Sequence, residues 1–123
     1  MSKKAAAAIR VLVIDDQKAM RSIVRNLLSQ NHIHQVTEAA NGIEGMRALH
    51  DRKQPKPDVI ICDLHMENMD GMEFCNRVRL NKDDNIRAIP VLILTGEKDK
   101  MPLEVARQVG ATAVLGKPIS APD

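Results

Sequence analysis

Short, unbroken apolar runs limit what this chain can fold into. Val11 to Ile14, Val59 to Cys62 and Val91 to Leu94 each string together four apolar residues with nothing polar between them. A strand with one face in water alternates polar and apolar residues. A strand that is apolar throughout is covered on both faces, which is the condition of a parallel sheet wrapped by helices. Val36 to Ala39 and Ala113 to Leu115 complete a set of five runs, and Ile9 extends the first. Between the runs the apolar period changes to that of a helix. From about Gln17 to Ser29, residues Met20, Ile23, Val24, Leu27 and Leu28 draw one apolar stripe. Ile43, Met46 and Leu49 mark a second helix, and Met72, Cys75 and Val78 a third that begins at Asp70-Gly71. Pro102 suits the first turn of a fourth, carrying Leu103, Ala106 and Val109. This βαβ rhythm predicts an α/β fold: a three-layer, doubly wound, five-stranded parallel sheet.

Residues 1–123 are expected to form one domain, and at that length roughly two-thirds of the unfolded chain's surface can be buried. The sequence reaches Ser120-Ala121-Pro122-Asp123 soon after the fifth run, so the last crossover helix is expected to be absent and the domain to be C-terminally incomplete. Apolar surface beside the first helix would then face water, in a fragment or in a chain that completes itself with another copy.

Hydrophobic residues make up 44% of the chain and charged residues 28%, without repeats or low-complexity tracts, as in an ordinary soluble globule. The net charge of +2 and the single aromatic residue, Phe74, supply neither a phosphate-binding field nor a stacking platform, so nucleic acid is not expected as a direct partner. Two cysteines, Cys62 and Cys75, lack zinc spacing and read as reduced packing residues of a cytoplasmic protein. The apolar runs fall far short of the ~18 residues of a membrane span. Met1 to Ala8 looks briefly like a secretion signal, but Arg10 breaks the apolar stretch and Asp15-Asp16 ends it.

In an open parallel sheet, ligands bind beyond the carboxyl ends of the strands. Asp15 and Asp16 follow the first run, Asp63 the third, Thr95 the fourth and Lys117 the fifth. Singly, each has a structural reading: Asp16 as a helix cap, Asp15 as a loop charge, Thr95-Gly96 as a turn, Lys117 as a surface lysine. Together they put three carboxylates, a hydroxyl and an ammonium on one rim. Carboxylates ~4 Å apart repel by about 4 kcal/mol per pair at an effective dielectric near 20, so close packing requires positive charge among them. Lys117 supplies one, and a hard divalent cation such as Mg2+ would supply two more. Such a cluster can receive a phosphoryl group, with a carboxylate attacking phosphorus.

At these residues the sequence resembles the receiver domain of bacterial two-component response regulators over about residues 9 to 119. The pattern joins Asp15-Asp16, Asp63 with Met66 and then Gly71, Thr95-Gly96, Gly110-Ala111 and Lys117-Pro118. Met20-Arg21 and Ile23 to Leu28 are similar to the single-domain chemotaxis regulators. The resemblance implies a flavodoxin-like sheet of order 2-1-3-4-5. It implies Asp63 as phosphoacceptor from a sensor histidine kinase, a histidine phosphotransfer protein or a small phosphodonor. Asp16, Asp63 and the main-chain carbonyl of His65 would ligate Mg2+, with Asp15 acting through water. Lys117, commonly ahead of a cis proline in the family, and Thr95 would bind the phosphoryl oxygens. Phosphorylation would then change binding to a downstream target or output domain. No enzyme activity is implied beyond the domain's own phosphorylation and dephosphorylation.

Some positions depart from the family pattern. Val114 stands where an aromatic residue usually reports the switch, so an aromatic relay is not expected. Glu67 replaces a frequent proline, which would loosen the loop beyond Asp63. His65 and Glu97 occupy positions that tune dephosphorylation in the family. His32, His34 and His50 read as surface residues, and the seven methionines as core filler. Family members often associate through the fifth strand and its flanking helices, so lowered stability or a homodimer, intertwined by exchange, is expected here. A receiver-shaped scaffold that is never phosphorylated and an aspartyl-phosphate phosphohydrolase are the alternative readings. Against the second, Asp15-Asp16 is adjacent rather than Asp-x-Asp, and the chain has no substrate cap.

Overall fold

The structure is a computed structural model and describes residues 5–96 and 103–116. Five strands, β1 (Arg10–Ile14), β2 (Gln35–Ala39), β3 (Val59–Asp63), β4 (Val91–Thr95) and β5 (Ala113–Gly116), form one parallel sheet in the order 2-1-3-4-5. The helices are α1 (Lys18–Gln30), α2 (Gly42–His50), α3 (Gly71–Arg79), α4 (Asp84–Arg87) and α5 (Leu103–Gln108). The expected parallel sheet and its order are therefore observed. The single-turn α4 was not foreseen: it is too short to show a period and rests on its cap, Asp83, whose carboxylate accepts the Asn85 N–H.

The register explains why the central runs are apolar throughout. Leu12 lies opposite Ile60, Ile61 opposite Leu92 and Leu94 opposite Leu115. Successive residues of a strand point to opposite faces. On one face Leu12, Ile14, Ile60, Cys62, Val91 and Ile93 meet α2, α3, α4 and α5 in the larger core, around a fully buried Phe74. On the other face Val11, Val13, Ile61 and Leu94 meet Val24 of α1. Both cysteines are fully buried, Met69 belongs to the larger core, and the partly buried Met46, Met66 and Met72 pack against that core.

Among the described residues, the α1 side is covered more thinly. Val24 is the one buried residue of α1, while Ile23 and, on β5, Leu115 are each 40% exposed. Pro102, proposed for the start of α5, lies outside the described residues. Among the described residues, no helix is long and apolar enough to cross a membrane. His32, His34 and His50 are all exposed.

Candidate functional site

Strand ends of a parallel sheet carry their side chains to a common rim, and β1 and β3 are neighbours there. Asp15 is the first residue beyond β1, Asp16 follows it, and Asp63 is the last residue of β3. Asp63 and Thr95 thus belong to their strands rather than following them. Asp15 is 1% exposed and Asp63 4%, whereas Asp16 is open to solvent. One carboxylate oxygen from each of the three lies within 4.8 Å of the others. At that separation each pair of like charges repels by about 3.5 kcal/mol at an effective dielectric of 20. Three pairs approach the ~5–15 kcal/mol that holds a whole domain together, so the cluster is built to be neutralised.

The backbone around the cluster is tied on each side. The Asp15 N–H donates to the Ala39 carbonyl at 3.1 Å, continuing the β1·β2 pairing by one residue. Asp15 Oδ1 accepts the Gln17 N–H at 2.9 Å, and the Asp15 carbonyl accepts from Arg21 Nη1 at 2.7 Å. Gln17, not Asp16, takes the N-cap position of α1, and its side chain makes no capping bond. The structural reading of Asp16 as a helix cap is therefore overturned, and its exposed carboxylate is left to the cluster.

Beyond Asp63, the Leu64 N–H donates to the Leu94 carbonyl at 2.9 Å, extending the β3·β4 pairing by one residue before the chain turns. The Met69 N–H then donates to the Glu67 carbonyl, and the Gly71 N–H to the Leu64 carbonyl, both at 2.8 Å. Asn68 takes a left-handed conformation, φ 71°, that few residue types adopt as readily. The buried Met69 side chain reaches Gly42 of α2, where a Cβ would lie 2.8 Å from its Sδ. Despite Glu67 in place of proline, the loop is held by these bonds and this anchor.

Thr95 is buried at the end of β4 and stands in register with Gly116 of β5. His65 is exposed. Val114 is half-buried against the larger core, a short aliphatic side chain with no ring to swing between pocket and solvent. Lys117 and Glu97 lie outside the described residues. Burial pushes the Cys62 thiol well above the ordinary thiol range, and the carboxylates of Asp63, Asp15 and Asp70, with Cys75, push in the same direction. Cys62 is thus a neutral packing residue beside the cluster rather than a nucleophile.

The sequence reading did not single out Glu38. This β2 residue accepts from Arg21 Nε at 2.9 Å and from Arg25 Nε at 2.9 Å, bridging two arginines one turn apart on α1. Arg21 and Glu38 are 17 positions apart, and no local pattern announces the pair.

All donors in the cluster are carboxylate oxygens, the hard ligand set that suits Mg2+ and similar cations and suits softer transition metals poorly. Fold and cluster together define a doubly wound α/β domain with an acidic, cation-competent pocket at its strand ends. The profile of the response regulator receiver domain matches residues 11–123, and the chain belongs to that family, whose members act as phosphorylation-controlled signalling switches. The chain is 36% identical over 115 residues to a probable chemotaxis protein CheY of Rhizobium etli, covering 94% of this chain and 85% of that protein. It is 31% identical to the chemotaxis protein CheY1 of Helicobacter pylori, covering 91% and 87% of the two. Among solved structures it is similar to the chemotaxis protein CheY4 of Vibrio cholerae. There the TM-score is 0.75 and the identity 34%, over 91% of this chain and 88% of that one.

Proposed function

We propose that Asp63 is the phosphoacceptor of this receiver domain. A carboxylate oxygen of Asp63 attacks the phosphorus of a phosphohistidine on a histidine kinase or phosphotransfer protein, or of a small phosphodonor. The O–P bond forms as the donor's P–N bond breaks and its electron pair leaves on the imidazole nitrogen, which takes up a proton; with an acyl phosphate the P–O bond breaks instead and the pair leaves on the carboxylate oxygen. The observation that carries this reading is the convergence of three carboxylate oxygens within 4.8 Å, with Asp63 buried at a strand end. Asp16, Asp63 and the main-chain carbonyl of His65 would hold Mg2+, and Asp15 would act through water. A cation held by these residues would supply positive charge to offset that of the phosphoryl oxygens. Thr95, buried on the neighbouring strand, and Lys117, which directly follows β5 in sequence, would bind those oxygens.

The domain then catalyses its own phosphorylation and dephosphorylation and no separate reaction. His65 and Glu97, flanking the pocket residues in sequence, would tune how long the aspartyl phosphate lasts. The change of charge at Asp63 shifts a two-state equilibrium that alters binding to a downstream protein or output domain. We read the compartment as the cytoplasm.

The test is incubation with a small acyl phosphate or phosphoramidate. The expected result is the mass gain of one phosphoryl group that requires Mg2+, is prevented by chelation and is lost in Asp63→Asn. Turnover of added phosphate esters would instead support a phosphohydrolase. Stable partner binding without any labelling would support a scaffold.

A second reading concerns self-association. The thin cover on the α1 side, with Ile23 and Leu115 each 40% exposed, favours a homodimer formed through this face, intertwined if the chains exchange. Sedimentation showing a monomer that Leu115→Lys leaves unchanged would rule it out.

A further inference from the structure

The pocket's two consecutive aspartates share one peptide unit, and the plane of that unit sets where both side chains point. Its approach side is fixed by the sheet, through the Asp15 N–H on the Ala39 carbonyl at 3.1 Å. Among the described residues, the side chain that holds its carbonyl is Arg21, whose Nη1 donates at 2.7 Å. Arg21 does not reach this oxygen as a free tether. Its Nε is engaged by Glu38 Oε1 at 2.9 Å, and the other oxygen of Glu38 is held by Arg25, which also donates to the Val36 carbonyl at 3.1 Å. The Arg21 side chain is 15% exposed and that of Glu38 30%, so the pair is more sheltered than an ordinary surface ion pair. A guanidinium suits this task because its planar fork donates in two fixed directions at once, which an ammonium does not.

We infer that Arg21, braced by Glu38, is a positioning residue for the divalent-cation site, holding the Asp15-Asp16 peptide in the orientation that cation binding requires. The inference rests on the reading of the acidic cluster as a cation site. The brace connects β2 to the pocket through α1: Glu38 on the strand, Arg21 one turn into the helix, the Asp15 carbonyl at the rim. Outer partners of metal ligands fix ligand orientation, and their loss commonly weakens binding about ten-fold or more.

The sign of the effect separates positioning from simple charge. Arg21 is a cation close to a cation site, so through its field alone its removal would tighten Mg2+ binding. Through positioning, removal loosens it. The experiment is calorimetric titration of the full chain with MgCl2, for wild type, Arg21→Gln, Arg21→Lys, Glu38→Ala and the double variant Arg21→Gln/Glu38→Ala. Far-ultraviolet circular dichroism and melting without metal establish that each variant is folded at the titration temperature. About ten-fold weaker binding is expected for Arg21→Gln, with a smaller loss for Glu38→Ala. The double variant should match Arg21→Gln alone, because the brace has nothing left to hold. Arg21→Lys keeps the charge and loses the fork, so it too should bind more weakly, and it serves as the decisive variant if Arg21→Gln does not fold. Unchanged or tighter binding in folded Arg21 variants overturns the inference while leaving the cation site intact. A wild-type chain that binds no Mg2+ overturns the reading of the cluster itself.

Discussion

Gly71 lies against the main chain of Asp63: a Cβ at residue 71 would stand 2.5 Å from the Asp63 carbonyl oxygen and 3.0 Å from the Leu64 Cα. Both obstacles are backbone and cannot swing aside. The first turn of α3 therefore approaches the end of β3 only because residue 71 has no side chain, and the Gly71 N–H uses the proximity to donate to the Leu64 carbonyl. Gly71→Ala is expected to cost about 1–3 kcal/mol, the range for forced overpacking. Urea unfolding measures the loss. Because the displaced atoms adjoin the Asp63 backbone, Mg2+ affinity should fall with it, which an equally destabilising substitution elsewhere would not cause.

Arg79 supplies that contrast. At the other end of the sheet its guanidinium donates to the carbonyls of Gly110 at 2.8 Å, Arg87 at 2.9 Å and Ile89 at 2.7 Å, tying α3 to the turns before β4 and β5. Hydrogen bonds from a charged donor contribute about 1.5–3 kcal/mol each, and they act here as one group. Arg79→Ala is expected to destabilise the domain by about 3 kcal/mol while the folded protein binds Mg2+ as wild type does. A change in Mg2+ affinity at temperatures where the variant is folded would contradict the separation of these two ends.

Stability should depend on pH through Glu38. Burial raises its carboxyl, but hydrogen bonds and charge from Arg25 and Arg21 outweigh burial and hold it below the ordinary carboxylate value of 4.5. A group whose folded pKa is depressed contributes stability that is fully present above its unfolded pKa and lost as pH falls through the folded one. The stability difference between wild type and Glu38→Gln is thus expected to be largest near neutrality and to shrink below about pH 4. Urea unfolding of both proteins across that interval is the check, and a difference that grows on acidification would be the contrary result.

Cys62 and Cys75 should be silent in the native state. Both are fully buried, and burial raises both thiols above the ordinary thiol range, Cys62 the more strongly. Since the thiolate is the reactive form, a disulfide reagent at mildly alkaline pH should modify them only at the rate of unfolding. Modification that is fast compared with unfolding would show that the structure opens locally at β3 or α3.

Much of this molecule was legible in its residues, for identifiable reasons. Val11 to Ile14, Val59 to Cys62 and Val91 to Leu94 are covered on both faces, and that physical state is what their unbroken apolar character announces. The edge strand β2 is mostly exposed, with Ala39 its one buried residue, and its polar Gln35 start lay outside the apolar run. The single turn α4 rests on an aspartate cap, and four residues are too few to carry a period. Asp15, Asp16 and Asp63 were found because strand ends in a parallel sheet share a rim. The brace of Glu38 on Arg21 stayed hidden because it joins a strand to a helix through side-chain geometry that spacing along the chain does not encode. The requirement for glycine at 71 was visible as a residue, whereas its cause, a carbonyl eight positions earlier in the chain, emerged only with the fold.

The central claim is that the buried carboxylate of Asp63 receives the phosphoryl group. Reductive trapping tests it directly. Borohydride converts an aspartyl phosphate to homoserine and releases phosphate, and it spares a free carboxylate. After exposure to an acyl phosphate with Mg2+ and then borohydride, peptide mass spectrometry should find homoserine at position 63 and nowhere else, and none when Mg2+ is chelated. Homoserine at position 15 or 16, or labelling that persists in Asp63→Asn, would contradict the account.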